Sequence, residues 1–116
     1  MAPTVSLLNL FDGVDLSNTD AILNIIESFD FPSGQAQSEA LQLLREKLGA
    51  THAVMAQLMQ LHFANWMKLA KGTVRMKPLQ LRFLLLQLLI RRHNPDLFWR
   101  LIGGDQLGEG RSAPRF

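Results

Sequence analysis

The sequence predicts an all-α fold, a small single-domain bundle of four to five helices with flexible termini. Three observations carry this. Apolar residues recur at three- and four-residue spacing over most of the chain. Strict apolar/polar alternation is scarce, and β-branched residues are thinly spread. Capping residues and glycine or proline stops fall at the ends of the periodic stretches. A length of 116 residues suits one domain, and 47% hydrophobic against 19% charged residues suits a globular chain.

Residues 1–16 read as an N-terminal arm. Val5 to Phe11 can form a helical turn or an apolar arm, and Asp12-Gly13 marks a turn. The bundle domain spans residues 17–103. Its first helix runs from Asn18 to Phe29, with Ser17, Asn18 or Thr19 as the cap and Asp20 near the positive helix end. Ile22, Ile25, Ile26 and Phe29 form its buried stripe. Pro32 holds Phe31 extended and ends the element. The second helix runs from Gln35 to Leu48, between a Ser33 N-cap and a Gly49 stop. It buries Ala40, Leu41, Leu44 and Leu48, and Gln37, Glu39, Gln42, Arg45, Glu46 and Lys47 take much of the remaining surface.

A third helix is expected from a Thr51 cap to a Gly72 stop. Its polar residues Gln57, Gln60, Lys68 and Lys71 form one narrow line, and most other positions are apolar. The fourth helix begins at Pro78 and ends in Arg91-Arg92-His93, which suit the negative helix end. It too has only a slim polar line, of Gln80, Gln87 and Arg91. Asn94-Pro95-Asp96 then reads as cap, first helical residue and dipole-matched acid of a short fifth helix that Gly103 closes. Residues 104–116 have no periodicity and form a flexible C-terminal tail.

Two helices that are apolar around most of their circumference require cover on several sides. Burying one Leu, Phe or Met side chain is worth roughly 1.5–3 kcal/mol. Self-association is therefore expected, with a two-fold dimer as the commonest solution. Contact with another protein is expected through the same surfaces. Met59, Phe63, Trp66, Leu81, Leu85 and Leu88 are the interface candidates. Met55, Met59, Met67 and Met76 would give an adaptable surface if exposed, but core filling is the more usual role.

Charge adds a direction. Residues 1–50 carry seven acids and two bases (net −5), and residues 51–116 carry ten bases and three acids (net +7). The two halves can pair within one bundle or between two copies. Lys68, Lys71, Arg75 and Lys77, with Arg82, surround one inter-helix turn. Arg91, Arg92 and Arg100 surround another, beside Phe98 and Trp99. These residues could contact an acidic partner or phosphates, and Trp99 could stack on a base. Nucleic acid is thus the alternative partner. A helix-turn-helix does not fit, because the Gly72–Lys77 connection is long and the next helix offers few polar side chains to read bases.

Other chemistries find little support. No cysteine is present, which removes disulfides, thiolate metal sites and cysteine nucleophiles. His52, His62 and His93 lack metal-ligand spacing, and no cofactor is implied. Asp12, Asp15, Asn18 and Asp20 lack the order of a calcium loop. No serine sits in a nucleophile elbow. Glu27 and Asp30 read as a solvated surface pair. Gly103-Gly104 and Gly108-Glu109-Gly110 lack the ending of a phosphate loop. The densest apolar stretch, Leu79 to Ile90, is too short for a membrane span of about 20 residues. The N-terminus lacks a basic region before its apolar residues, unlike a secretory signal. The expectation is a non-enzymatic, cytoplasmic interaction protein: an adaptor, assembly factor or regulator. The alternative is a small oligomeric nucleic-acid binder.

Overall fold

Capping residues set most of the helix boundaries. The computed structural model describes residues 6–101. Among these residues it has no strand and six helices: α1 (Thr19–Ser28), α2 (Gly34–Leu48), α3 (His52–Leu58), α4 (Phe63–Lys71), α5 (Pro78–His93) and α6 (Pro95–Leu101). A 3-10 turn at Leu7–Asn9 precedes them. Asn18, Ser33 and Thr51 each accept a backbone N–H through the side chain, from Ala21, Ala36 and Val54. Asn94 does the same for Leu97 at 3.1 Å. At α5 the Lys77 N–H is satisfied by the Gln80 side chain at 2.8 Å. The fifth helix expected from the sequence is α6. The tail, residues 104–116, lies outside the described residues, as do Met1–Val5 of the arm.

The expected third helix is instead two helices, α3 and α4, which accounts for the extra element. Gln60 takes a left-handed conformation (φ 58°). Its N–H bonds to the Gln57 carbonyl at 3.1 Å, and the Leu61 N–H bonds to the Ala56 carbonyl at 2.9 Å. This pair of bonds is the Schellman closure, a helix stop. The same closure ends α2 at Gly49 (φ 65°) and α4 at Gly72 (φ 75°). The Gln87 side chain, reaching from α5, donates to the Leu58 carbonyl at 2.9 Å and so satisfies a buried carbonyl at the end of α3.

Packing follows from the apolar stripes. α2 lies on α4, α3 on α4, α1 on α5 and α6 on α5, while the 3-10 turn bridges α2 and α5. The core holds Leu7 and Phe11 from the arm, Ile26, Phe31, Leu41, Leu44, Met55, Leu58, Trp66, Leu69, Leu84, Leu85 and Phe98. Of the methionines named above, Met55, Met59 and Met76 are buried and Met67 is half-buried.

One polar side chain stitches two regions together. Gln37, in α2, is fully buried, not on the surface where its helix position suggested. It donates to the carbonyls of Leu69 (2.9 Å) and Val74 (2.8 Å) and accepts from the Met76 N–H (2.8 Å). Ser38 adds a bond to the Ala70 carbonyl at 2.7 Å. The α4–α5 connection is therefore pinned to α2 by a polar group with both ends used.

Candidate functional site

The interface candidates divide sharply. Met59, Trp66, Leu81, Leu85 and Leu88 are buried in the chain's own core and cannot meet a partner without unfolding it. Only Phe63 is exposed, at 53%. The correction has a geometric reason. α3 and α4 fold onto each other at Gln60, so each covers apolar surface that a single straight helix would have left open.

α5 does keep an uncovered side. Its core face carries Leu81, Leu84, Leu85 and Leu88. At about 100° per residue, Leu79, Phe83 and Leu86 fall within about 60° of one another on the opposite side. They are exposed at 77%, 40% and 47%. Leu23 of the neighbouring α1 is exposed as well. The sequence shows that α5 is apolar all round, but the residues it suggested for an interface, Leu81, Leu85 and Leu88, lie on the face that the core takes.

The charge split becomes a seam. Asp12 pairs with Arg92 (2.5 Å), Glu27 with Arg82 (4.0 Å) and Asp30 with Arg75 (3.7 Å). The residue numbers run in opposite directions, as antiparallel α1 and α5 require; Glu27–Arg82 joins the two helices directly, and Asp12, Asp30 and Arg75 lie in the segments that flank them. Arg75 also donates to the Phe31 carbonyl. Arg100 pairs with Asp96 at 3.0 Å within α6. Three of the seven anion candidates, Arg75, Arg92 and Arg100, are therefore already engaged by carboxylates. Lys68 and Lys71 lie exposed in the last turn of α4 and Lys77 at the start of α5. Arg91 is half-buried, with its Nε buried and unbonded among the described residues.

The acidic loop is accounted for by structure. Besides the Asp12 ion pair, Asp15 accepts from the Ser17 N–H (2.9 Å) and hydroxyl (2.7 Å), and these bonds hold its carboxyl below the ordinary value. Asn18 is a cap. No group of three or more His, Asp or Glu that could hold a metal ion occurs among the described residues. No described helix is long and apolar enough to cross a membrane.

A second feature lies between α2, α3 and α4, a cleft of about 330 Å³. Arg45, Lys71 and His52 line it, and Leu41, Trp66 and Met67 supply apolar wall. The Trp66 indole N–H donates to His52 Nδ1 at 3.0 Å. An accepting Nδ1 places the imidazole proton on Nε2. Burial, and then the nearby Arg45 charge, lower the His52 pKa from 6.5, so the ring is neutral at physiological pH. Sequence reasoning set His52 aside because its spacing does not suit a metal. Its tie to Trp66 becomes visible only once α4 folds back on α3.

Comparison with protein-family models, with curated proteins and with solved structures finds no match.

Proposed function

We propose that the chain is a non-enzymatic helical interaction module, an adaptor, assembly factor or regulator, that associates with a second copy of itself. The observation that supports this reading is the exposed Leu79–Phe83–Leu86 stripe, backed by a fully packed core on the other side of the same helix. Such a stripe gains by leaving water. The occupant follows from charge. α5 has no carboxylate, and Lys77 and Arg82 flank its stripe. α1 exposes Leu23 between Asp20 and Glu27. A two-fold axis along the α1–α5 seam would lay α1 of one copy antiparallel on α5 of the other, repeating the acid-to-base pairing already made within the chain. The surface used is the outer face of α5, in place of the buried Leu81, Leu85 and Leu88. Absence of cysteine is compatible with the reducing cytoplasm.

Sedimentation equilibrium tests this. The wild-type chain should dimerise reversibly at micromolar concentration. Leu86→Asp should be monomeric with unchanged helicity, because Leu86 touches solvent and not the core. Reversal of Arg82 to Glu should weaken association, and the added change Glu27→Arg should restore it. A wild-type chain that stays monomeric at high micromolar concentration would refute the proposal.

A further inference from the structure

The cleft between α2, α3 and α4 uses none of the residues of the α5 outer face, so it stands or falls separately. Two cations line it together, and no carboxylate among the described residues compensates them. Among the described residues, Arg75, Arg82, Arg92 and Arg100 each face a carboxylate within 4.0 Å. Arg45 and Lys71 do not, and no Asp or Glu lines the cleft they share. Arg45 spends one N–H on the Ala50 carbonyl at 3.2 Å, while its Nε is buried with no acceptor among the described residues. A cation held this way favours an incoming anion, because the usual competitor, an internal carboxylate, is missing.

The remaining lining narrows the chemistry. The Ser38 hydroxyl is spent on the Ala70 carbonyl, so the donors are the second N–H of the Gln42 amide, whose first goes to Glu46, and the Nε2–H of the neutral His52, free once Nδ1 is committed to Trp66. Met67 and Ala70 form the accessible apolar wall, with Leu41 and Trp66 buried behind it. A cleft of about 330 Å³ is at the small end of ligand sites. We infer that this cleft binds a small organic carboxylate, its charge set against Arg45 and Lys71 and its apolar body against Met67 and Ala70.

The test uses the full-length ¹⁵N-labelled chain and the indole N–H signal of Trp66, assigned with Trp99→Phe. Hexanoate is the probe, hexanol its uncharged counterpart and inorganic phosphate the anion without an apolar body. Hexanoate should shift the Trp66 signal saturably, and hexanol and phosphate should not. Lys71→Gln, at an exposed position, should weaken hexanoate binding about tenfold, the loss of one charge-assisted bond. Arg45→Gln should weaken it at least as much, with folding verified from the rest of the spectrum. The inference is overturned if hexanoate leaves the Trp66 signal unmoved or if hexanol shifts it equally. It is also overturned if phosphate competes on equal terms or if Lys71→Gln binds like the wild type. None of these outcomes bears on dimerisation through α5.

Discussion

Gly34 and Gly72 touch backbone to backbone, and a Cβ on either would collide with the carbonyl oxygen of the other. This contact brings the start of α2 against the end of α4, one turn from the Gln37 bonds. Gly72 also has φ of 75°, whereas Gly49 has φ of 65° and open space where a Cβ would stand. The three positions therefore separate two costs. Gly49→Ala should lose about 1–2 kcal/mol from left-handed strain alone. Gly34→Ala should lose about 1–3 kcal/mol from overpacking alone. Gly72→Ala combines both and should be the worst of the three. Urea denaturation of the set checks the order, and equal losses at Gly49 and Gly72 would contradict the close contact.

Gln37 predicts a different kind of loss. Gln37→Met keeps the volume but leaves the Val74 carbonyl and the Met76 N–H without their partner, while the Leu69 carbonyl keeps its bond from the Gly72 N–H. Each orphaned group costs about 1–3 kcal/mol, so the variant should lose about 2 kcal/mol or more. Gln87→Met, which strands only the Leu58 carbonyl, should lose about half as much. Chemical denaturation monitored by circular dichroism measures both. A neutral Gln37→Met would mean that water replaces the side chain in the α4–α5 connection.

The break at Gln60 predicts a gain. A non-glycine residue with positive φ carries about 1–2 kcal/mol of strain, offset in a glycine variant by about 0.4–1 kcal/mol of extra unfolded-state entropy. Gln60→Gly should therefore stabilise the chain by about 0.5 kcal/mol or more. Gln60→Val should destabilise it, since a β-branched residue is worse still in that region. Thermal melting of both variants against wild type gives the sign. Stabilisation by valine would indicate a continuous helix across Met59–His62.

The same residue explains what was legible in the sequence. Three helices end in the same pair of hydrogen bonds, at Gly49, Gln60 and Gly72. The two glycine stops can be read directly, because glycine favours the left-handed position. The glutamine stop cannot, because its conformation is imposed by the packing of α4 on α3 and by the Gln87 bond to Leu58. From that one concealed stop came the single long helix and the assignment of Met59 and Trp66 to an outer surface. Gln37 and Gln87 were read as surface for a related reason: helical periodicity records polarity and not whether a loop carbonyl waits in the core. Periodicity likewise showed α5 to be apolar on both sides but not which side the bundle would take. The opposed charges of the two halves were visible, and antiparallel α1 and α5 turned them into a seam.

His52 and Trp66 predict how stability depends on acid. The folded state binds the neutral imidazole, whose Nδ1 accepts the Trp66 N–H at 3.0 Å. Burial and Arg45 place the folded pKa below the ordinary 6.5. The unfolded chain therefore takes up a proton first as pH falls. The stability this pair contributes is full above the unfolded pKa and is lost as pH drops through the folded one. Protonation also removes the acceptor, leaving the buried indole N–H unpaired. Asp15, held below its ordinary 3.8 by Ser17, loses its contribution only in stronger acid, outside this window. His52→Gln retains an acceptor that does not titrate there. The stability difference between wild type and His52→Gln, measured by urea denaturation, should shift toward the variant between about pH 7.5 and about pH 5. Trp66 emission, read in a Trp99→Phe background, should change over the same interval. A difference that stays constant across that interval would mean that the Trp66 bond does not depend on the charge of His52.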